Sequence, residues 1–369
     1  MTSSPDSPLL KHLDCIKDPR RHNTRHLLHD MFLIALCAII SGADSWVQVA
    51  EYGRSKIKWF KQFLELPNGI ASHDTFGRLF ARIDPEGFNH FFTRWVQDLS
   101  ESLKGTTVAI DGKTLRGSHD RINGKSAIHM VSAWAADMRL VLGQLKTDDK
   151  SNEITAIPEL IKTLALQGAI VTIDAMGCQK KITRTIVDAD SDYVIQVKDN
   201  QKTLHENIAL FFQEPANGPF DNCETIDGEH GRIETRRYYT TSDIDWLPGK
   251  EDWAGLNTIC MAVRERDVNG QIAIESSYFI SSLENNASTI AKSIRDHWSI
   301  ENSLHWCLDV SFREDHCRVR KDHGPENLGI LRHMATNLLK QEKSLKGGLQ
   351  TKRLKAAWDH DYLMKILTT

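Results

Sequence analysis

Residues 107–113, TVAIDGK, and residues 171–177, VTIDAMG, carry one pattern: a short apolar run, an aspartate, then small residues. An unbroken apolar run of this length suits a strand buried on both faces, as in a parallel sheet. Asp111 and Asp174 then stand at the carboxyl edge of such a sheet, where open α/β folds take their ligands, and their small neighbours leave room for a bulky substrate. Either aspartate alone reads as well as the start of a turn. The repeated context favours a shared site.

Working outward, residues 107–110, 128–135 and 140–145 predict three strands, separated by turn residues at 117–125 and 137–139. Residues 154–166 return to helical spacing, 169–173 read as a strand, 180–189 as a helix and 193–197 as a strand. Three strands, helix, strand, helix, strand is the order of a ribonuclease-H-like core, so the predicted class is α/β. Upstream, apolar residues recur at three and four from Leu27 onward, with Asp44 and Ser72 placed as helix caps, which predicts an all-helical N-terminal domain. Downstream, β-like pieces at 236–240, 257–264 and 272–280 predict a β-rich insertion, followed by a helix capped by Ser288 or Thr289 and another over 325–340. The expected division is 1–104 helical and DNA-binding, 105–200 first part of the core, 201–286 insertion, 287–345 second part of the core, and 346–369 a helical tail.

A chain of 369 residues that is 40% hydrophobic can bury a sizeable core in two or three domains. Its longest apolar run, residues 32–40, falls short of the roughly 18 needed to span a bilayer, and Lys11 and Asp14 spoil a signal peptide, so a cytoplasmic protein is expected. Seven cysteines form no CxxC pair, which argues against a disulfide framework; His305, Cys307, His316 and Cys317 crowd one stretch without the two-plus-two spacing of structural zinc. A net charge of −3 does not mark a nucleic-acid binder, but local clustering decides phosphate contact, and basic clusters occupy 17–29, 230–237, 313–321 and 343–355. Each of them taken alone reads as a solvated face.

On the predicted helix from 288, Ile290, Ile294, Trp298, Glu301, His305 and Leu308 share one face, which sets a carboxylate inside an apolar stripe. A buried Glu needs a cation or a core-facing Arg or His, because leaving it unpaired costs several kcal/mol. Three carboxylates meeting at one sheet edge would repel one another unless a divalent cation lay between them, and hard oxygen donors select Mg²⁺ or Mn²⁺. Asp111, Asp174 and Glu301 are thus both the candidate catalytic residues and the candidate ligands of a two-metal site for in-line attack on a DNA phosphate.

From about residue 10 to 340 the chain resembles the H-repeat-associated transposases, a group of bacterial insertion-sequence DDE transposases. The resemblance lies in DPRRHNTRHLLHDMFLIALCAIISGADSW, GIASHDTFGRLFARIDP, AIDGKTLRGS, DDKSNEITAIPELI, TIDAMGCQKKI, QVKDNQ, HGRIETRRY and HWSIENSLHWCLDVSFREDHCRVRKDHGPENLGILRH. It implies a catalytic triad falling on Asp111, Asp174 and Glu301, an insertion before the glutamate, double-stranded DNA of element ends and target as partner, and a homodimer on DNA. The wider group carries Tyr, Arg and Lys around this glutamate, where the chain has Ile294, His297 and Leu308. Arg295, His297, His305 and Arg313 are the residues available in their place.

Lys113, two positions past Asp111, is a phosphate candidate and equally a turn lysine; Lys198 and Asn200 close the strand beside Asp174. Arg232 and Arg236 suit backbone phosphates, His297 and Asn302 flank Glu301, and Trp298 and Trp306 read more readily as core than as stacking platforms. Lys150, Asn152 and Glu153 belong to the family's KSNE motif; Glu153 is a further metal or water contact or, on the better reading, an acid favoured by a helix N-terminus. Arg20, Arg21 and Arg25 make the helical region the candidate for recognising terminal repeats. The expected activity is strand cleavage and strand transfer; the alternatives are a nuclease that does not join strands and a silent DNA-binding remnant. A phosphatase is set aside because no DxDx(T/V) follows any strand.

Overall fold

The structure, a computed structural model, describes residues 8–21, 24–100, 102–120, 124–147, 153–229 and 232–369. Six helices precede the sheet: α1 (Pro8–Lys11), α2 (Leu28–Ile40), α3 (Trp46–Ser55), α4 (Ile57–Phe60), α5 (His73–Arg82) and α6 (Pro85–Leu99). Side-chain caps start three of them. Ser45, Ser72 and Asp84 accept from the backbone N–H groups of Gln48, Thr75 and Gly87, and Pro85 sits in the first turn of α6 where its missing N–H is not needed. The cap of α3 is therefore Ser45, one residue past the expected Asp44; Asp44 turns instead towards Arg353, 3.6 Å away. Helix α2 is buried from Asp30 through Ile40, as an apolar surface all round a helix requires.

The expected strand and helix order follows: β1 (Thr107–Thr114), β2 (His129–Ala135), β3 (Leu140–Lys146), α7 (Glu153–Thr163), β4 (Ile170–Ile173), α8 (Lys180–Asp188) and β5 (Asp192–Val197). After α9 (Lys202–Gln213) come β6 (Asp221–Glu229), β7 (Arg232–Thr241), β8 (Thr258–Val268) and β9 (Gln271–Ser281). All nine strands join one sheet in the order β3-β2-β1-β4-β5-β9-β8-β7-β6, with β1, β4 and β5 parallel. The β-rich segment thus continues the sheet: β9 pairs antiparallel with β5 from Val194↔Ser281 to Val197↔Tyr278. Strand β6 and helix α9 have no counterpart in the sequence reading, because the polar DNCETIDGE of β6 lacks the apolar alternation by which a half-buried strand is recognised.

Helix α10 (Ala287–His297) packs Ile290, Ala291 and Ile294 on Ile170, Val194, Tyr238, Cys260 and Phe279 of one sheet face. Helices α11 (Trp306–Ser311), α12 (Gly324–Gln341), α13 (Leu349–Trp358) and α14 (His360–Leu367) complete the chain. Asn337 of α12 hydrogen-bonds both the N–H and the C=O of Val141, closing edge strand β3, while Asn327 donates to Phe80 and Ile83 at the end of α5. Through α12 the N-terminal helices and the sheet share one apolar cluster, from Leu9 to Leu367. Among the described residues no helix is long and apolar enough to cross a membrane.

Candidate active site

Parallel pairing of β1 and β4 ends at Ile110↔Ile173, so Asp111 and Asp174 are the next residues on adjacent strands. Asp174 ends its strand as expected, its carboxylate accepting from Met176 N–H at 3.0 Å and Gly177 N–H at 3.4 Å. Asp111 does not end its strand. β1 runs on to Thr114 because β2 keeps pairing with it, Asp111 opposite Ser132.

The helix carrying Glu301 is not continuous. α10 stops at His297, and Glu301–His305 form a π-turn, the N–H of Trp306 donating to the carbonyl of Glu301 five residues back, before α11 begins. The expected apolar stripe does not hold: Trp298 is 50% exposed and Glu301 is exposed, while Leu308 stays buried. His305 is the partner of Asp111, with Nδ1 3.5 Å from Oδ2. Asp111, Asp174 and Glu301 line one cavity of about 540 Å³.

Burial pushes the Asp111 carboxyl up to about 7, against a hydrogen bond from Gly112 N–H and with the charges of Glu153, Asp174 and Glu301 adding to the rise. Asp174 is raised too, by burial and then by Glu153, while the Gly177 and Met176 N–H groups and Lys198 pull it down. Among the described residues no three acidic, histidine or cysteine side chains are closed into a coordination cluster. They surround shared space instead, and the set of carboxylate oxygens short of counter-charge fits a hard divalent cation.

Arginines form the facing wall. Arg236 lies across from Arg264, and Glu234 across from Arg266, on one face of β7 and β8, and all four line the cavity with Arg295 and Lys198. Arg236 donates to Asp227 and lies 2.8 Å from Glu234, Arg264 lies 2.5 Å from Glu275, and Arg295 lies 3.4 Å from Asp227. The Nε of Arg266 is buried without a hydrogen-bond partner among the described residues. Arg264 and Arg266 were not singled out from the sequence; their alternate spacing in RERDV is the signal, legible once the strand and its inner face are known.

The remaining candidates divide. Lys198 lines the cavity, as does His297, whose imidazole burial drives down to about 4 and whose Nδ1 lies 3.1 Å from Thr172 Oγ1, so it stands there neutral rather than as a cationic phosphate contact. Lys113 is not free for phosphate: its ammonium sits 2.7 Å from Asp309 and 2.8 Å from buried Glu314. Asn200 donates to the carbonyl of Ala175 at 2.7 Å, tying down the turn after Asp174. Arg313 is exposed on a left-handed turn residue and is not among the residues lining the cavity. The side chain of Arg232 lies outside the described residues, as do Lys150 and Asn152. The basic cluster at 343–355 turns partly inward, Lys352 and Arg353 being buried against main-chain carbonyls.

Residues 102–338 match the family model described as "Transposase DDE domain", and residues 10–96 match "DDE_Tnp_1-associated". The "H repeat-associated putative transposase YhhI" of Escherichia coli (strain K12) is 39% identical over 97% of this chain and 97% of its own. The chain belongs to the H-repeat-associated DDE transposases. Another relative of this transposase, the "Uncharacterized protein in dhlA 3'region" of Xanthobacter autotrophicus, is 46% identical over 73% of this chain and 92% of its own. A solved piggyBac transposase synaptic complex with hairpin DNA covers 95% of the chain, and 79% of that chain is covered in turn, at a TM-score of 0.44 and 13% identity.

Proposed function

We propose that this DDE transposase cleaves DNA strands at the ends of an insertion sequence and joins them to target DNA, on a ribonuclease-H-like core whose Asp111, Asp174 and Glu301 hold Mg²⁺ or Mn²⁺. The observation that carries the reading is the shared cavity: two aspartates at one register of adjacent parallel strands, Glu301 beside them, and arginines opposite. A bound pair of such ions would supply Lewis-acid stabilisation of the attacking and leaving oxygens. The protein's own residues do the rest. Arg236, Arg264, Arg266 and Lys198 hold backbone phosphates against the acidic wall, where guanidinium forks match phosphate geometry. The backbone N–H groups at Met176 and Gly177 fix one oxygen of Asp174, and His305 steadies Asp111 from the π-turn that carries Glu301. The basic residues of the N-terminal helical region contact the terminal repeats, and a homodimer brings two ends together.

The test is incubation of the purified full chain with double-stranded terminal-repeat DNA and Mg²⁺ or Mn²⁺. The wild type nicks the end and yields joined product, while Asp174→Ala binds the DNA and leaves it intact. DNA binding without nicking by the wild type would overturn the reading in favour of a silent binding protein, and nicking without joining would reduce it to a nuclease.

A further inference from the structure

A fourth carboxylate stands at the same sheet edge. Glu153, the first residue of α7, has a side chain only 14% exposed and places Oε1 2.7 Å from His129 Nε2. His129 Nδ1 in turn lies 2.9 Å from Thr114 Oγ1, its direct cross-strand partner on β1. In a neutral imidazole this chain has one consistent sense: Nε2–H donates to Glu153 and Nδ1 accepts the Thr114 hydroxyl. The second oxygen of Glu153 makes no hydrogen bond or ion pair among the described residues.

The strand beneath is cut to fit this pair. A Cβ on Gly112 would fall 2.2 Å from Glu153 Oε1 and 2.3 Å from His129 Nε2, so the residue directly after Asp111 has to be glycine for the carboxylate to come this close. An acid serving only the helix N-terminus needs neither a histidine from β2 nor bare backbone on β1. The charge of Glu153 also reaches both aspartates, and it is the only carboxylate acting on Asp174 among the leading influences there.

We propose that Glu153 is a fourth carboxylate ligand of the cation site, held by His129 and Thr114 so that one oxygen is fixed and the other is presented to the ion between Asp111 and Asp174. This rests on the cation-dependent reading above, and it adds the KSNE glutamate to the working site of the transposase. Orientation of a ligating carboxylate by a hydrogen-bonded neighbour is worth about tenfold to a hundredfold in metal affinity.

Mn²⁺ binding to the full chain, measured by titration calorimetry and by electron paramagnetic resonance of free Mn²⁺, tests it without reference to activity. Glu153→Gln, isosteric and still able to accept from His129, weakens Mn²⁺ binding about tenfold or more with an unchanged thermal midpoint, and His129→Gln, which leaves the carboxylate but loosens it, causes a smaller loss. Asp111→Asn serves as reference. If Asp111→Asn loses the ion while both Glu153→Gln and His129→Gln keep wild-type affinity, Glu153 is structural and this inference falls alone. If Asp111→Asn and Asp174→Asn bind Mn²⁺ as tightly as the wild type, the cation-dependent reading falls and takes this inference with it. Should Glu153→Gln fail to fold, unchanged Mn²⁺ affinity in His129→Gln is sufficient to overturn the proposal.

Discussion

The two walls of the cavity are charged in opposite senses and built in opposite ways. Asp111 and Asp174 stand where two parallel strands stop pairing and Glu301 comes from an interrupted helix, and burial, with the neighbouring carboxylates adding to it, leaves Asp111 raised to about 7. Arg236 and Arg264 come from mid-strand positions of an antiparallel extension, and each is already clasped by Asp227, Glu234 or Glu275. Acids short of counter-charge call for a cation, whereas arginines held by acids keep spare donors in fixed positions for an incoming anion. On the proposed reading, one wall takes the metal and the other the phosphate.

If that division holds, each wall can be broken separately. The largest effect is expected from Asp174→Ala, which lowers strand nicking on the order of 10³-fold, as removing a group that stabilises transition-state charge does, while gel-shift affinity for the same DNA is kept. Next comes Lys113→Met, at a residue two positions past Asp111 that belongs to neither wall. It leaves Glu314, 2% exposed at its side chain, with only Arg332 at 3.4 Å as an ion-pair partner among the described residues, and chemical denaturation should show a loss of about 3 kcal/mol. Removing Arg264 and Arg266 together weakens binding to every DNA sequence alike and lowers the slope of log affinity against log salt by about one for each phosphate no longer neutralised, with Mn²⁺ affinity unaltered.

The smallest effect concerns pH in cation-free protein. Asp111 has a folded pKa of about 7, above its ordinary value of about 4, so between those values the folded state holds the extra proton. Its contribution to stability is complete below pH of about 4 and is lost as pH rises through about 7. Thermal midpoints of the wild type should therefore fall over that window, and Asp111→Asn should flatten the decline.

Most of the fold was legible because its strands are strongly apolar: TVAI, VTI and YVIQV are buried runs whose period and turns leave little choice. The half-exposed strands were harder. β6 is polar along its length, and exposed Ile272 and Ile274 on β9 gave apolar residues without a core to explain them. For the site, matched aspartate contexts brought Asp111 and Asp174 together, but a straight helix was the wrong frame for Glu301. No residue type announces a π-turn, so the irregular helix that carries both Glu301 and His305, the latter 3.5 Å from Asp111, was not visible in the spacing. The partners of Lys113 and Asn200 escape the sequence for a related reason: Glu314 is remote in the chain and the Ala175 carbonyl is hidden in the backbone.

Asp111, Asp174 and Glu301 are proposed to act together on a shared divalent cation. The most direct test is anomalous diffraction from crystals of the full chain grown with Mn²⁺ and terminal-repeat DNA. A manganese peak is expected within about 2.0–2.3 Å of oxygens from both aspartates, with Glu301 bound directly or through one water. Manganese absent from this cavity, or held by other residues while DNA occupies the arginine wall, would contradict it.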